Sequence, residues 1–335
     1  MSRSKIDVHA HVLPPTWRAE CSKRGYDFPS ALQGITDHSE KEWTVEAHIE
    51  SMNRLGIQKS ILSVTAPGVH LDPNDDELAR RLARDANLFM AQIVEQFPDR
   101  FGFFATLPLP DCQGAIDEAF FALEELKADG IGLLASSHGV YLGNAKFDPV
   151  FETLNRLSAR IFLHPTLCRH QPFQSGYRAI SEPVPTLPGS ILEYMFDTTR
   201  AVTNLLVSGT VSRHTKLTFI VPHCGAVLPA TIDRSTEFAA RALGKKDTIT
   251  SKEARLLLKE RFFFDLAGFV CSDQLPAILR ITTPDRLLYG SDLPFTPVKL
   301  AKELMDDLDK HLAQCCGEQG QAVYRDNALL FFQGK

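Results

Sequence analysis

Two apolar periods alternate along the chain. Runs that are apolar over most of their length fall at 5–12, 59–65, 100–107, 130–135, 160–164, 216–223, 261–267 and 286–292. Between them, apolar residues return every three or four positions. Val45, Ile49, Met52 and Leu55 do so within 44–55, which Gly56 stops, and Leu78, Leu82, Ala86 and Phe89 within 75–97. That spacing predicts amphipathic helices, and further helical segments follow at 112–128, 148–158, 191–209, 228–243 and 274–281. Strands apolar throughout are covered on both faces, as in parallel sheets. Strict strand–helix alternation then implies right-handed βαβ units. Eight of them predict a (β/α)8 TIM barrel, with residues 1–335 forming one domain. An open doubly wound sheet would want a glycine-rich turn after the first strand, where this chain has Leu13-Pro14-Pro15. The surplus over a typical barrel falls to an insertion at 16–45 read as a lid, a proline-rich loop at 167–188, and closing helices within 298–335.

Composition removes several classes of function. The net charge is −5, with both signs mixed along the chain, which disfavours a nucleic-acid partner. No run is long and apolar enough for a membrane span, and no apolar stretch follows the basic residues at the N-terminus, so no secretory signal is predicted. Seven scattered cysteines without a C-x-x-C pair read as reduced thiols of a cytoplasmic protein, not as a zinc ribbon.

The chemistry-bearing residues sit at strand ends. His9 and His11 are two apart on the first strand, so they share a face and converge on one point, as the first two ligands of a metal ion must. The fifth run ends at His164, the sixth at His223 and the eighth at Asp292. In a barrel these C-terminal ends are where function is built.

From Asp7-Val-His-Ala-His11 to Gly290-Ser-Asp-Leu-Pro294, the chain resembles the metal-dependent decarboxylases of the amidohydrolase superfamily, which include amino-carboxymuconate-semialdehyde, γ-resorcylate, 5-carboxyvanillate and isoorotate decarboxylases. Ser60-Ile-Leu-Ser-Val-Thr-Ala-Pro-Gly68, Leu163-His-Pro165 and His223-Cys-Gly225 resemble the fungal 6-methylsalicylate decarboxylases in particular. The resemblance implies that His9, His11, His164 and Asp292 hold one divalent ion, Zn²⁺ or alternatively Mn²⁺, and that His223 is catalytic. It implies that Arg234 binds a substrate carboxylate across a homodimer interface. The end of the fourth run, Leu134-Ala-Ser-Ser137, lacks the lysine that bridges two ions in binuclear relatives, which argues for a single metal.

The implied reaction is non-oxidative decarboxylation of an ortho-hydroxy aromatic acid, foremost 6-methylsalicylate to 3-methylphenol and CO2, with Asp292 delivering a proton to the ring and His223 serving the phenol oxygen. A heterocyclic acid such as isoorotate, or hydrolysis of a lactone or amide on the same scaffold, are the alternatives. Trp43, Phe196 and Phe295 are candidate aromatic walls of the substrate pocket. Ser63 and Thr65 are candidate hydroxyl contacts, although both also suit a strand. His138 is placed to reach the pocket, and Asp265 to orient a ligand histidine. His38, His48, His70, His170, His214 and His311 read as surface or packing residues.

Overall fold

The computed structural model describes residues 4–26, 43–166, 169–170, 178–179, 188–242 and 249–333. Eight parallel strands follow one another around a single sheet in chain order. They are Lys5–Val12, Ile57–Val64, Phe101–Thr106, Gly130–Leu134, Arg160–His164, Thr218–Val221, Phe262–Asp265 and Leu287–Leu288, called strands one to eight below. The last closes on the first. Val8 N–H donates to Tyr289 O at 3.0 Å, Asp292 N–H to His9 O at 2.8 Å and His11 N–H to Leu293 O at 2.7 Å. The predicted (β/α)8 barrel is the observed fold.

The barrel interior is apolar. Ile6, Val8, Ile61, Phe104, Phe162, Ile220, Phe263 and Leu288 form one buried cluster. Within it the rings of Phe104 and Phe162 stack, 5.2 Å apart. The helix Asp326–Phe332 adds Ala328 and Phe331 to the same cluster, and Phe331 packs edge-on against Phe263. Burying a phenylalanine side chain in this way contributes on the order of 2 kcal/mol. Arg160 donates to the carbonyls of Phe331 and Phe332 at 2.7 and 3.1 Å, satisfying acceptors that a helix C-terminus leaves open.

The helices form where their caps and stripes direct. Thr44 accepts from Ala47 N–H to start the helix Val45–Leu55, and Gly56, in the left-handed region, ends it. Asp75 caps the helix Asp76–Gln96, which buries Leu78, Leu82, Ala86 and Met90 on one side. The helix expected over 112–128 is instead Cys112–Phe120 followed by a π turn, Phe121–Glu125. Among the described residues, two helices of eight residues or more escape the periodicity argument. Pro15–Lys23 buries only Trp17 and Cys21, too few apolar positions to set a period. Ser251–Arg261 buries only Ala254 and Leu258, although its Thr250-Ser-Lys-Glu253 start is a capping box legible in the sequence. Residues 27–42 of the expected lid and most of the 167–188 loop lie outside the described residues. No described helix is long and apolar enough to cross a membrane.

His48 is buried beneath Trp43, whose Nε1–H donates to His48 Nδ1 at 3.4 Å, and its Nε2 has no partner. Burial pulls its pKa from 6.5 down to about 3. A histidine held neutral in the fold binds a proton more readily when unfolded. Its contribution to stability is therefore complete above pH 6.5 and is lost as the pH falls toward 3. His48→Gln is expected to flatten the acid limb of stability against pH by about one proton between those values, in urea titrations of the variant beside the parent.

Candidate active site

Strand one is irregular where it matters. Asp7 pairs with Ser60 and Ala10 with Leu62, so Val8 and His9 together face Ile61. Such a bulge re-aims side chains. His9 and His11 then point to one place, their ring centroids 5.0 Å apart, with the His164 ring 5.7 Å from His9 and 4.8 Å from His11. One ring nitrogen of each lies within 4.8 Å of those of the other two.

Each ring has its Nδ1 committed. His9 Nδ1–H donates to Asp265 Oδ2 at 3.0 Å, and His164 Nδ1–H to the carbonyl of Pro165 at 2.7 Å. Ser63 Oγ donates to Ala10 O at 3.3 Å and accepts from His11 Nδ1–H at 3.1 Å. With the rings neutral, these bonds turn each Nε2 lone pair inward. Nε2 of His9 and of His11 are buried without a hydrogen-bond partner. Asp292 Oδ1 stands 3.6 Å from the first and 3.2 Å from the second. Two orphaned buried imidazole nitrogens beside a carboxylate fit a divalent cation.

Electrostatics follow the packing. Burial and the neighbouring imidazoles of His11 and His9 hold His164 well below its ordinary value, so it is neutral. Burial likewise lowers His11 and His223. Burial pulls on His9 as well, but Asp265 outweighs it and raises His9 to about 9. Burial pushes the Asp292 carboxyl up, yet the adjoining imidazoles of His11 and His9 hold it below the usual carboxylate range. Asp292 and His223 also adopt left-handed backbone, with φ of 60° and 52°. For such residues this is strained, and strain of that kind concentrates at functional sites.

Asp265, at the end of strand seven, lies at the hinge of the arrangement. Its Oδ2 takes His9, while its Oδ1 accepts from the backbone N–H groups of His223 at 3.2 Å and Ala267 at 3.1 Å. His223 Nδ1–H donates in turn to Ala267 O at 3.2 Å. Asp7, given no role from the sequence, is fully buried and accepts from His9 N–H at 3.1 Å and Ser291 N–H at 2.9 Å. It ties strand one to the turn bearing Asp292, and burial pushes its carboxyl up to about 7. Gly290 stands where a Cβ would lie 2.8 Å from His9 Cβ, so only glycine lets that turn approach.

Above these residues opens a cavity of about 770 Å³, lined by Leu107, Leu133, Leu134, Tyr194, Met195 and Phe295, with His164, His223 and Asp292 at its base. Thr65 and His138 line it too, and the Phe295 ring packs 5.3 Å from His11. Four expected substrate contacts do not line this cavity. Trp43 packs on His48 and Phe89 outside the barrel. Phe196 is on the exposed side of the helix Gly189–Val207, whose neighbouring Tyr194 and Met195 face the cavity instead. Ser63 is buried and spent on His11. Arg234 is exposed on the helix Leu228–Ala242, stacked over Phe238 at 5.2 Å, and does not line the cavity of its own chain. His70, expected as a surface or packing residue, lines the wall and bonds both His138 Nε2 at 2.9 Å and Asp76 Oδ1 at 2.8 Å. Nothing in the spacing of residues 70, 76 and 138 signals that chain of contacts.

The role of Asp265 is testable through metal binding. Asp265→Asn removes the charge that sets the tautomer of His9, and is expected to weaken divalent-ion affinity by about 10–100-fold. Competition with a chelating dye measures it, and an unchanged affinity would contradict the role.

Comparison with known proteins agrees with this geometry. The amidohydrolase family model matches residues 6–333. The chain is 34% identical to a decarboxylase of Aspergillus niger, over 98% of this chain and 87% of that protein. It is 33% identical to a 6-methylsalicylic acid decarboxylase of Aspergillus aculeatus, over 98% and 96%. Among solved structures, a dihydroxybenzoic acid decarboxylase of Polaromonas sp., with bound manganese and the inhibitor 2-nitroresorcinol, superposes with a TM-score of 0.80 at 23% identity, covering 99% of this chain and 97% of that one. Barrel, strand-end histidines and relatives together make this chain a member of the amidohydrolase family and, within it, one of the metal-dependent decarboxylases.

Proposed function

We propose that this carboxy-lyase carries out the non-oxidative decarboxylation of an ortho-hydroxy aromatic carboxylic acid, with 6-methylsalicylate, giving 3-methylphenol and CO2, the foremost candidate. One observation carries the reading. Asp292 and three imidazoles with inward lone pairs meet at the base of an apolar cavity whose described lining has no lysine or arginine. A planar apolar ring suits the walls, and its carboxylate must find its positive charge at the base. The relative named as a 6-methylsalicylic acid decarboxylase supports the choice of acid.

His9, His11, His164 and Asp292 would hold one divalent ion per chain, zinc or manganese, which when bound supplies Lewis acidity toward the substrate's carboxylate and phenolic oxygens. Asp292 rests deprotonated, so it takes the phenol proton first. It then returns that proton to the ring carbon bearing the carboxylate. The carbon–carbon bond breaks, its electron pair restores the aromatic ring, and CO2 leaves. The phenolate that remains takes a proton from solvent through His223, whose Nδ1–H is pinned to Ala267 O and whose Nε2 is thereby free for the exchange. An ortho hydroxyl is needed because it is the source of the proton that Asp292 moves.

Arg234 serves the substrate carboxylate from a second copy of the chain in this reading, since it stands on the outer surface of its own. A guanidinium suits that task through its bidentate fork.

Asp292→Asn is expected to lower decarboxylation by about 10²–10⁴-fold, followed by chromatography with 6-methylsalicylate, salicylate, 2,3-dihydroxybenzoate and isoorotate. Absence of product from all four acids with the parent protein, its ion bound, would overturn the proposal and favour a hydrolase. Mixing the inactive Arg234→Ala chain with the Asp292→Asn chain is expected to restore activity, because a mixed dimer holds one intact site. Failure to restore it, with mixed dimers formed, would remove Arg234 from the site.

A further inference from the structure

A second cluster of metal-ligating groups stands away from the barrel mouth. The helix Val298–Cys316 carries Asp307, His311 and Cys315 at four-residue intervals, so they follow one another along one face. That face meets the loop after strand seven, where Cys271 is 6% exposed. Cys271 Sγ, a carboxylate oxygen of Asp307 and a ring nitrogen of His311 all lie within 4.8 Å of one another. His311 Nδ1 donates to the Asp307 carbonyl at 2.9 Å and stands 3.5 Å from its Oδ1. Cys315, one turn onward, is exposed and stands outside that group.

We propose that Cys271, Asp307 and His311 form a second metal site, one for a borderline divalent ion such as Zn²⁺. A thiolate, an imidazole and a carboxylate suit such an ion and leave its fourth position to water. The catalytic set at the barrel mouth has only nitrogen and oxygen donors, so the two sites differ in softness. Ligands around tetrahedral zinc stand about 3.5 Å apart, which this cluster reaches by closing roughly an ångström. Burial and the Asp307 carboxylate push the Cys271 thiol up to about 11, so without an ion it keeps its proton. Binding sends the Cys271 thiol proton to solvent and is therefore favoured by rising pH.

The site has a consequence for the cavity. Ala267, Gly268, Phe269 and Val270, the residues leading to Cys271, line the cavity wall, and Ala267 O holds His223. An ion at Cys271 would staple that wall to the long helix, which makes its role structural.

Cobalt substitution separates the two sites, because only a thiolate ligand gives a sulfur-to-cobalt charge-transfer band in the near ultraviolet. Two ions per chain and that band are expected from the parent protein. Cys271→Ser is expected to lose one ion and the band while keeping the other ion and turnover. Asp307→Asn, on a half-exposed helix face, guards against a folding defect. It retains the Cys271 thiol, so it is expected to keep the band and to release the second ion about tenfold more readily. One ion per chain without the band, a band that survives Cys271→Ser, unchanged affinity in Asp307→Asn, or a Cys271–Cys315 disulfide found by peptide mapping of the native protein would each overturn the proposal.

Discussion

The active end of this barrel depends on one buried carboxylate. Asp265 is sealed from water, and a lone charge there would cost several kcal/mol. Here it is offset by His9 and by two backbone N–H groups, which together hold the carboxyl below its ordinary value against burial. The same contacts fix three strand ends at once. His9 receives its tautomer, the left-handed backbone of His223 receives an acceptor for its N–H, and the turn at Ala267 is set to hold the His223 ring. Asp7 does the matching work across the barrel seam, binding the turn of Ser291 to strand one. Strain at Asp292 and His223 persists because these two acids fix the backbone around it.

Fixing the imidazoles from behind leaves their other nitrogens to do the chemistry. Each Nδ1 is tied to a different kind of acceptor: a carboxylate for His9, a hydroxyl for His11 and a main-chain carbonyl for His164. Three imidazoles from strands one and five thus converge on one point, each held by its own acceptor. Above them, the cavity walls carry no lysine or arginine among the described residues. His70 and His138 line one stretch of those walls, tied by Asp76 at the start of a helix.

The sequence was legible wherever a local rule operates. Strands apolar on both faces, helices with Thr44 or Asp75 as caps, and a stop at Gly56 are decided by residues close to one another in the chain. So is the convergence of His9 and His11, since two positions apart on a strand means one face. Helices that bury few residues, Pro15–Lys23 and Ser251–Arg261, left too weak a stripe to read. Trp43 and Phe196 show the opposite failure. Aromatic character marks a residue for burial or for a pocket, and only packing distinguishes them: Trp43 went behind a helix and Phe196 to the surface.

By itself, the sequence determined the (β/α)8 barrel, its strand order, and which histidines and aspartate stand at the strand ends, because periodicity and strand-end position are local properties. The tertiary structure alone decided what those residues touch. The bulge that aims His9, the acids Asp7 and Asp265 that hold it, the hydroxyl of Ser63 turned to His11, the exposed placement of Arg234 and the meeting of Cys271 with His311 all join residues remote in the chain. No window of sequence contains such contacts. They exist only once the sheet has closed and its helices have packed around it.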